Sequence, residues 1–170
     1  MNKIIPFLFL MMLISIVNAQ TKRKMMPSDV YKYQSIGSPQ ISPDGKWVLY
    51  SVSKPDSAKN KSLTDLYLTN WQGTETLQIT HYGNAGGGAT FSPDGKQIAF
   101  SGARFGNNDI FIMPTTGGMP KRLTFHSSQD NIASWTQADK ILFSTSREFR
   151  QIERPSEVYS ISPKGGTESR

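Results

Sequence analysis

The stretch "SPDGK" occurs twice, at residues 42–46 and 92–96, each time followed by an apolar run, "WVLYSVS" (47–53) and "QIAFSGA" (97–103). A turn repeated with the same sequel means a chain built from repeated units, and a repeat constrains the fold more than any composition does. Three units follow one another, at about 38–84, 86–129 and 130–170. Each enters through a short segment leading to a turn: "PQISPDGK", "ATFSPDGK" and "ASWTQADK". A β-rich run comes next, the third being "ILFSTSR" (141–147), and a polar loop after it. Then comes a strand led by an acid: "DLYLTN" (65–70), "DIFIMP" (109–114) and "EVYSIS" (157–162). A Gly turn leads to a last strand, "TLQIT" (76–80) or "KRLT" (121–124), which the third unit cuts short at "SR".

The runs are rich in β-branched and aromatic residues and are separated by Gly, Pro, Asp and Asn. Leu66 and Leu68, like Ile110 and Ile112, alternate onto one face. Asp-Gly between apolar runs marks a tight turn with a residue at positive φ. Asp44 and Asp94 are therefore expected to shape turns, with Gly45 and Gly95 supplying the positive φ. Gly117, Gly118, Gly165 and Gly166 meet the same need later in their units. The third unit supports this reading of the aspartates, because "TQADK" has neither Pro nor Gly and its strand still follows. Four short strands per unit, recurring every forty to fifty residues, predict an all-β chain. The expected fold is a partial β-propeller of about three four-stranded blades, the last incomplete.

Residues 1–37 lie outside the repeat. Lys3, an apolar run from Ile4 to Val17 and then Asn18-Ala19 form the pattern of a signal peptide, 1–19, cut before Gln20. An uncleaved anchor is the alternative. The reading implies export, to the periplasm or outside the cell, with the membrane met only through this signal. Residues 20–37 form an arm carrying "TKRK", with a short helical segment expected over 27–34, started by Pro27 and Ser28. Lys and Arg total 19 against 13 acids, a net charge of +6. Part of that excess sits in the arm and reads as a solubilising tether rather than a nucleic-acid site.

The motifs "SPDGK", "DIFIMP" and "GG-x-P-K-R-L-T" (117–124) resemble the WD-like repeats of the TolB and tricorn propellers. The stretch from Met25 to Thr80 resembles the opening of propeller-bearing serine peptidases of the prolyl oligopeptidase family. Residues 86–147 are more similar to tricorn-type propellers. The resemblance implies a propeller that binds or gates peptide substrate for a catalytic domain. The TolB likeness implies instead a periplasmic propeller that binds partner proteins. Three units leave edges open, so missing C-terminal blades or a catalytic domain are expected beyond Arg170.

The chain holds no candidate nucleophile of its own. It has no Cys and no Gly-x-Ser-x-Gly elbow, and no position matches the catalytic residues of either peptidase family. His81 and His126 follow the last strand of successive units, which reads as a repeat feature rather than a metal or base pair. "GNNDI" (106–110) lacks the alternate ligands and closing Glu of a calcium loop. "AGGGA" (85–89) lacks the Gly-Lys-Ser/Thr and the helix of a phosphate cradle. No metal or cofactor is expected. The individual segment is "SREFRQIERPSE" (146–157), which interrupts the third hairpin. Its Arg147, Arg150 and Arg154 suit a carboxylate such as a peptide terminus; a self-paired solvated loop is the alternative.

Overall fold

The computed structural model describes residues 23–81, 83–147 and 156–170. The expected signal peptide, and Arg150 and Arg154, lie outside the described residues. Three antiparallel sheets succeed one another along the chain, each a meander. The first runs β1 (Ser35–Ile41), β2 (Trp47–Asp56), β3 (Lys61–Asn70) and β4 (Thr76–Gln78). The second runs β5 (Ala85–Phe91), β6 (Gln97–Gly102), β7 (Asp109–Pro114) and β8 (Lys121–Arg122). The third holds β9 (Asn131–Trp135), β10 (Ile141–Thr145) and β11 (Glu157–Ile161). Ser169 bridges antiparallel to Ser160 on the free edge of β11, with N–H to carbonyl distances of 2.7 and 2.9 Å. The tail thus begins a fourth strand. The architecture is that of a partial β-propeller.

The repeated turn explains how each sheet starts. Gly45 donates its N–H to the Ser42 carbonyl at 2.9 Å, so Pro43 and Asp44 are the central pair of a β-turn. Proline's fixed φ suits the first of these places. Gly45 then takes φ 72°, where an L side chain is strained. Asp44 closes the loop by accepting from Ser42 Oγ (2.6 Å) and the Lys46 N–H (3.1 Å). Ser92, Asp94, Gly95 and Lys96 repeat the same bonds. In the third sheet the turn is one residue shorter. Thr136 takes the place of Ser42, and Asp139, at φ 56°, takes the place of Gly45. Asp is among the few non-glycine residues that tolerate this region, and its carboxylate also accepts from Trp135 Nε1 at 2.9 Å.

The second sheet is buried on both faces, which is why "QIAFSG" and "DIFIMP" are almost wholly apolar. Ile98, Phe100, Phe111 and Met113 pack against Leu49, Leu66 and Leu68 of the first sheet. Ala99, Ile110 and Ile112 pack against Trp135, Ile141, Phe143 and Ile161 of the third. Each fully buried large side chain contributes roughly 1.5–3 kcal/mol. A cross-strand aromatic pair recurs at one register position in every sheet. Tyr50 faces Tyr67, Phe100 faces Phe111 and Phe143 faces Tyr159, with ring centroids 5.8, 5.6 and 6.1 Å apart.

The sheets are also joined through backbone. Thr64 of β3 forms a parallel bridge with Asn84, just before β5. β5 then touches the first sheet on one side and β9 on the other. β9 also meets β6, where the Ile132 N–H donates to Ser101 Oγ, across sheets, at 2.7 Å. A Cβ built on Gly88 would lie 2.8 Å from Ile132 Cγ2, so only glycine lets β5 approach β9 this closely. Before the first sheet, Pro27–Lys32 form a 3-10 turn around Asp29. That carboxylate binds Arg23, the Met26 N–H and Lys32, and these donors hold its pKa far below the usual range.

Candidate functional site

One acid on the third strand of each sheet, inside β3 and at the start of β7 and β11, is tied to the fourth strand or the residues that follow it. Asp65 Oδ1 accepts from Thr80 Oγ1 at 2.8 Å and from the Gly83 N–H at 3.0 Å, and Gln78 Nε2 reaches Oδ2 at 3.4 Å. Asp109, sealed from solvent, pairs with Arg122 at 2.8 Å. Glu157 pairs with Arg170. Register makes the three partners equivalent. Gln78 stands opposite Tyr67 and Arg122 opposite Phe111, and the Ser160–Ser169 bridge sets Arg170 one step along, opposite Tyr159. A threonine supports the join in the first two sheets: the Leu66 and Ile110 N–H groups each donate to it at 2.9 Å, through Thr80 and Thr124.

In the second sheet this join opens onto a groove. The Arg122 guanidinium lies between the exposed rings of Phe105 and Phe125, 4.5 and 4.8 Å from their centroids. Cation–π attraction holds its plane, and Nε donates to the Thr124 carbonyl. Burial pushes the Asp109 pKa up. Arg122 opposes that shift, and neighbouring Asp130 adds to it.

The groove runs between β8 and the tail of the third sheet, with a volume of about 480 Å³. Lys121, Arg122, Leu123, Phe125 and His126 form one wall, and Lys164, Gly165, Gly166 and Glu168 the other, with Arg147 at the inner end. Lys121 Nζ donates across it to the Lys164 carbonyl at 2.8 Å. His126 Nδ1 accepts from the Ser128 N–H. His81 does not line the groove.

Arg147, the one described member of the candidate arginine trio, is 9% exposed. It meets buried Asp130 at 2.5 Å and pairs also with Glu168, over the rings of Phe143 and Tyr159. Its charge is thus used inside the protein. Gly117 and Gly118 have φ of 87° and 123°, and Gly165 and Gly166 of 89° and 110°, in the turns before β8 and before the tail. Asp44 and Asp94 border a second cleft, between the turns of the first two sheets, floored by Trp47, Leu68, Leu77 and Phe91. The Ser42 and Ser92 hydroxyls, with the Lys46 and Lys96 N–H groups, lower the pKa of both carboxylates.

Among the described residues no group of three or more His, Asp or Glu is placed to hold a metal, and no helix is long and apolar enough to cross a membrane. Sequence reasoning noticed the leading acids but missed their partners Arg122 and Arg170, and the pair Asp130–Arg147. The signal was present in the register of "KRLT" against "DIFIMP", a relation that only becomes specific once the strands are paired.

An uncharacterized peptidase of Bacillus subtilis, YuxL, is 32% identical over 104 residues, covering 61% of this chain and 16% of that protein. Dipeptidyl-peptidase 5 of Porphyromonas gingivalis is 40% identical over 60 residues, 35% of this chain and 9% of that one. The chain therefore spans a small fraction of these relatives. TolB of Acinetobacter baumannii shares the fold with a TM-score of 0.61 at 23% identity, over 81% of this chain and 32% of TolB. With residues 61–170 matching the model of the tricorn protease N-terminal beta propeller domain, and sheets that repeat one meander and one acid-to-fourth-strand join, the chain belongs to that propeller family.

Proposed function

We propose that this chain is the propeller portion of a longer, exported serine peptidase, presenting or filtering peptides for a catalytic domain encoded beyond Arg170. The observation that carries the reading is the 32% identity to a peptidase across 104 residues, well beyond a single blade. The signal pattern of residues 1–19 supports export. On this reading the propeller contributes peptide contacts from grooves and loops, and the bond-breaking groups come from elsewhere.

The test is to express the reading frame together with the DNA following the Arg170 codon. The longer product is expected to react with a fluorophosphonate probe and to release chromophore from dipeptidyl substrates. The 170-residue chain alone is expected to do neither. Absence of a hydrolase frame, or labelling of the short chain, overturns the reading. A second reading, a protein-binding module of TolB type, is favoured by the breadth of the shared fold. It expects further repeats and a stop codon in place of the hydrolase frame.

A further inference from the structure

We propose that the groove between β8 and the turn at residues 162–166 binds an acidic peptide segment through Lys121 and Lys164. The charge inventory of the groove carries this. Five of its lining side chains are basic or imidazole and one is acidic. Arg122 is matched by Asp109, and Arg147 by Asp130 and Glu168. Lys121 and Lys164 have no carboxylate within ion-pair distance among the described residues, so the groove keeps two positive charges.

One of these charges is fixed in place. Lys121 Nζ is held at 2.8 Å from the Lys164 carbonyl, which leaves the ammonium with two further N–H donors. The wall beside it is glycine backbone: a Cβ added to Gly165 would stand 3.8 Å from Nζ. An incoming chain therefore approaches without displacing a side chain. Phe125, exposed on the opposite wall, supplies apolar surface for the peptide between its acids. The arginines are spent on buried carboxylates, so recognition is by ammonium point charges rather than by a guanidinium fork. That suits spaced Asp or Glu side chains better than one terminal carboxylate.

The inference rests on the reading that this chain meets peptides, and its test reads binding alone, independent of any hydrolase domain. A fluorescein-labelled decapeptide rich in Glu, and its Gln counterpart, are titrated with the full chain by fluorescence anisotropy. The Glu peptide is expected to bind, the Gln peptide to bind at least about tenfold more weakly, and raised salt to weaken the former. Lys121→Glu/Lys164→Glu is expected to cost about tenfold or more. Lys54→Glu/Lys61→Glu, on the first sheet, is expected to leave affinity unchanged. Circular dichroism checks that each variant is folded, and Lys121→Gln/Lys164→Gln, with about half the effect on a logarithmic scale, replaces the reversal if that variant misfolds. Equal losses in both lysine pairs, equal binding of the two peptides, no binding of the Glu peptide, or binding to anionic phosphatidylglycerol vesicles in its place would overturn the proposal.

Discussion

Arg122 meets Asp109 at 2.8 Å, and the carboxylate it neutralises has no exposure to solvent at all. Removing the cation leaves a buried charge with nothing opposite it, which is far more costly than losing a surface pair. Arg122→Met is expected to destabilise the chain by about 3 kcal/mol at pH 7. The sign of its pH dependence follows from Asp109, whose folded pKa is raised by burial and rises further without Arg122. The ionised carboxylate then penalises folding above that pKa, and the penalty fades as pH falls toward the unfolded value of about 3.9. Urea unfolding midpoints at pH 7 and pH 4.5 should show the deficit narrowing. A constant deficit would mean that packing against Phe105 and Phe125 dominates.

Arg147 joins Asp130 to Glu168, but the two acids are unequal. Asp130 is fully buried, whereas the Glu168 side chain is 21% exposed. Arg147→Met should therefore cost about 3 kcal/mol or more and Glu168→Gln about 1 kcal/mol or less. Thermal or urea melts of both variants settle the order, and a larger loss for Glu168→Gln would contradict it.

Asp44 and Asp94 have lowered folded pKa values, the Ser42 and Ser92 hydroxyls being the first cause. The stability they contribute is present above the unfolded pKa of about 3.9 and is lost as pH falls through the folded pKa. Ser42→Ala/Ser92→Ala raises those folded values toward the unfolded one. The variant should be less stable at neutral pH and show a shallower acid limb. A parallel, displaced profile would assign the loss to the turn backbone instead.

Gly88→Ala places a methyl 2.8 Å from Ile132 Cγ2, on a β-branched side chain that cannot easily rotate away. The expected cost is about 1–3 kcal/mol. Ile132→Ala should recover part of it, so the double variant loses less than the sum of the single ones. Strict additivity would show that the two sheets adjust without strain.

The repeat, the strands and the turns were legible from residues 40 onward because each rests on local chemistry. Pro43 and Gly45 dictate their own turn, and the alternation of Ile110 with Ile112 marks "DIFIMP" as a strand, though its burial on both faces shows only once the third sheet is packed against it. The role of Asp139 was harder to see. It looks like the counterpart of Asp44 but occupies the place of Gly45, a substitution that shows only in backbone angles. The candidate site was legible in fragments. Arg147 drew notice for its neighbours in sequence, whereas its environment is made by Asp130 and Glu168, 17 residues before it and 21 after. Long-range pairing of this kind is set by sheet register, which no short motif encodes.

The bond from the Ile132 N–H to Ser101 Oγ has a use beyond cohesion. Most strand amides in a meander are protected by a neighbour in their own sheet and so report fraying of that sheet. This amide is guarded by a side chain of the next sheet along. Its exchange with deuterated solvent therefore times the parting of two blades, and Ser101→Ala would set that clock running fast while amides within β10 and β11 keep their pace.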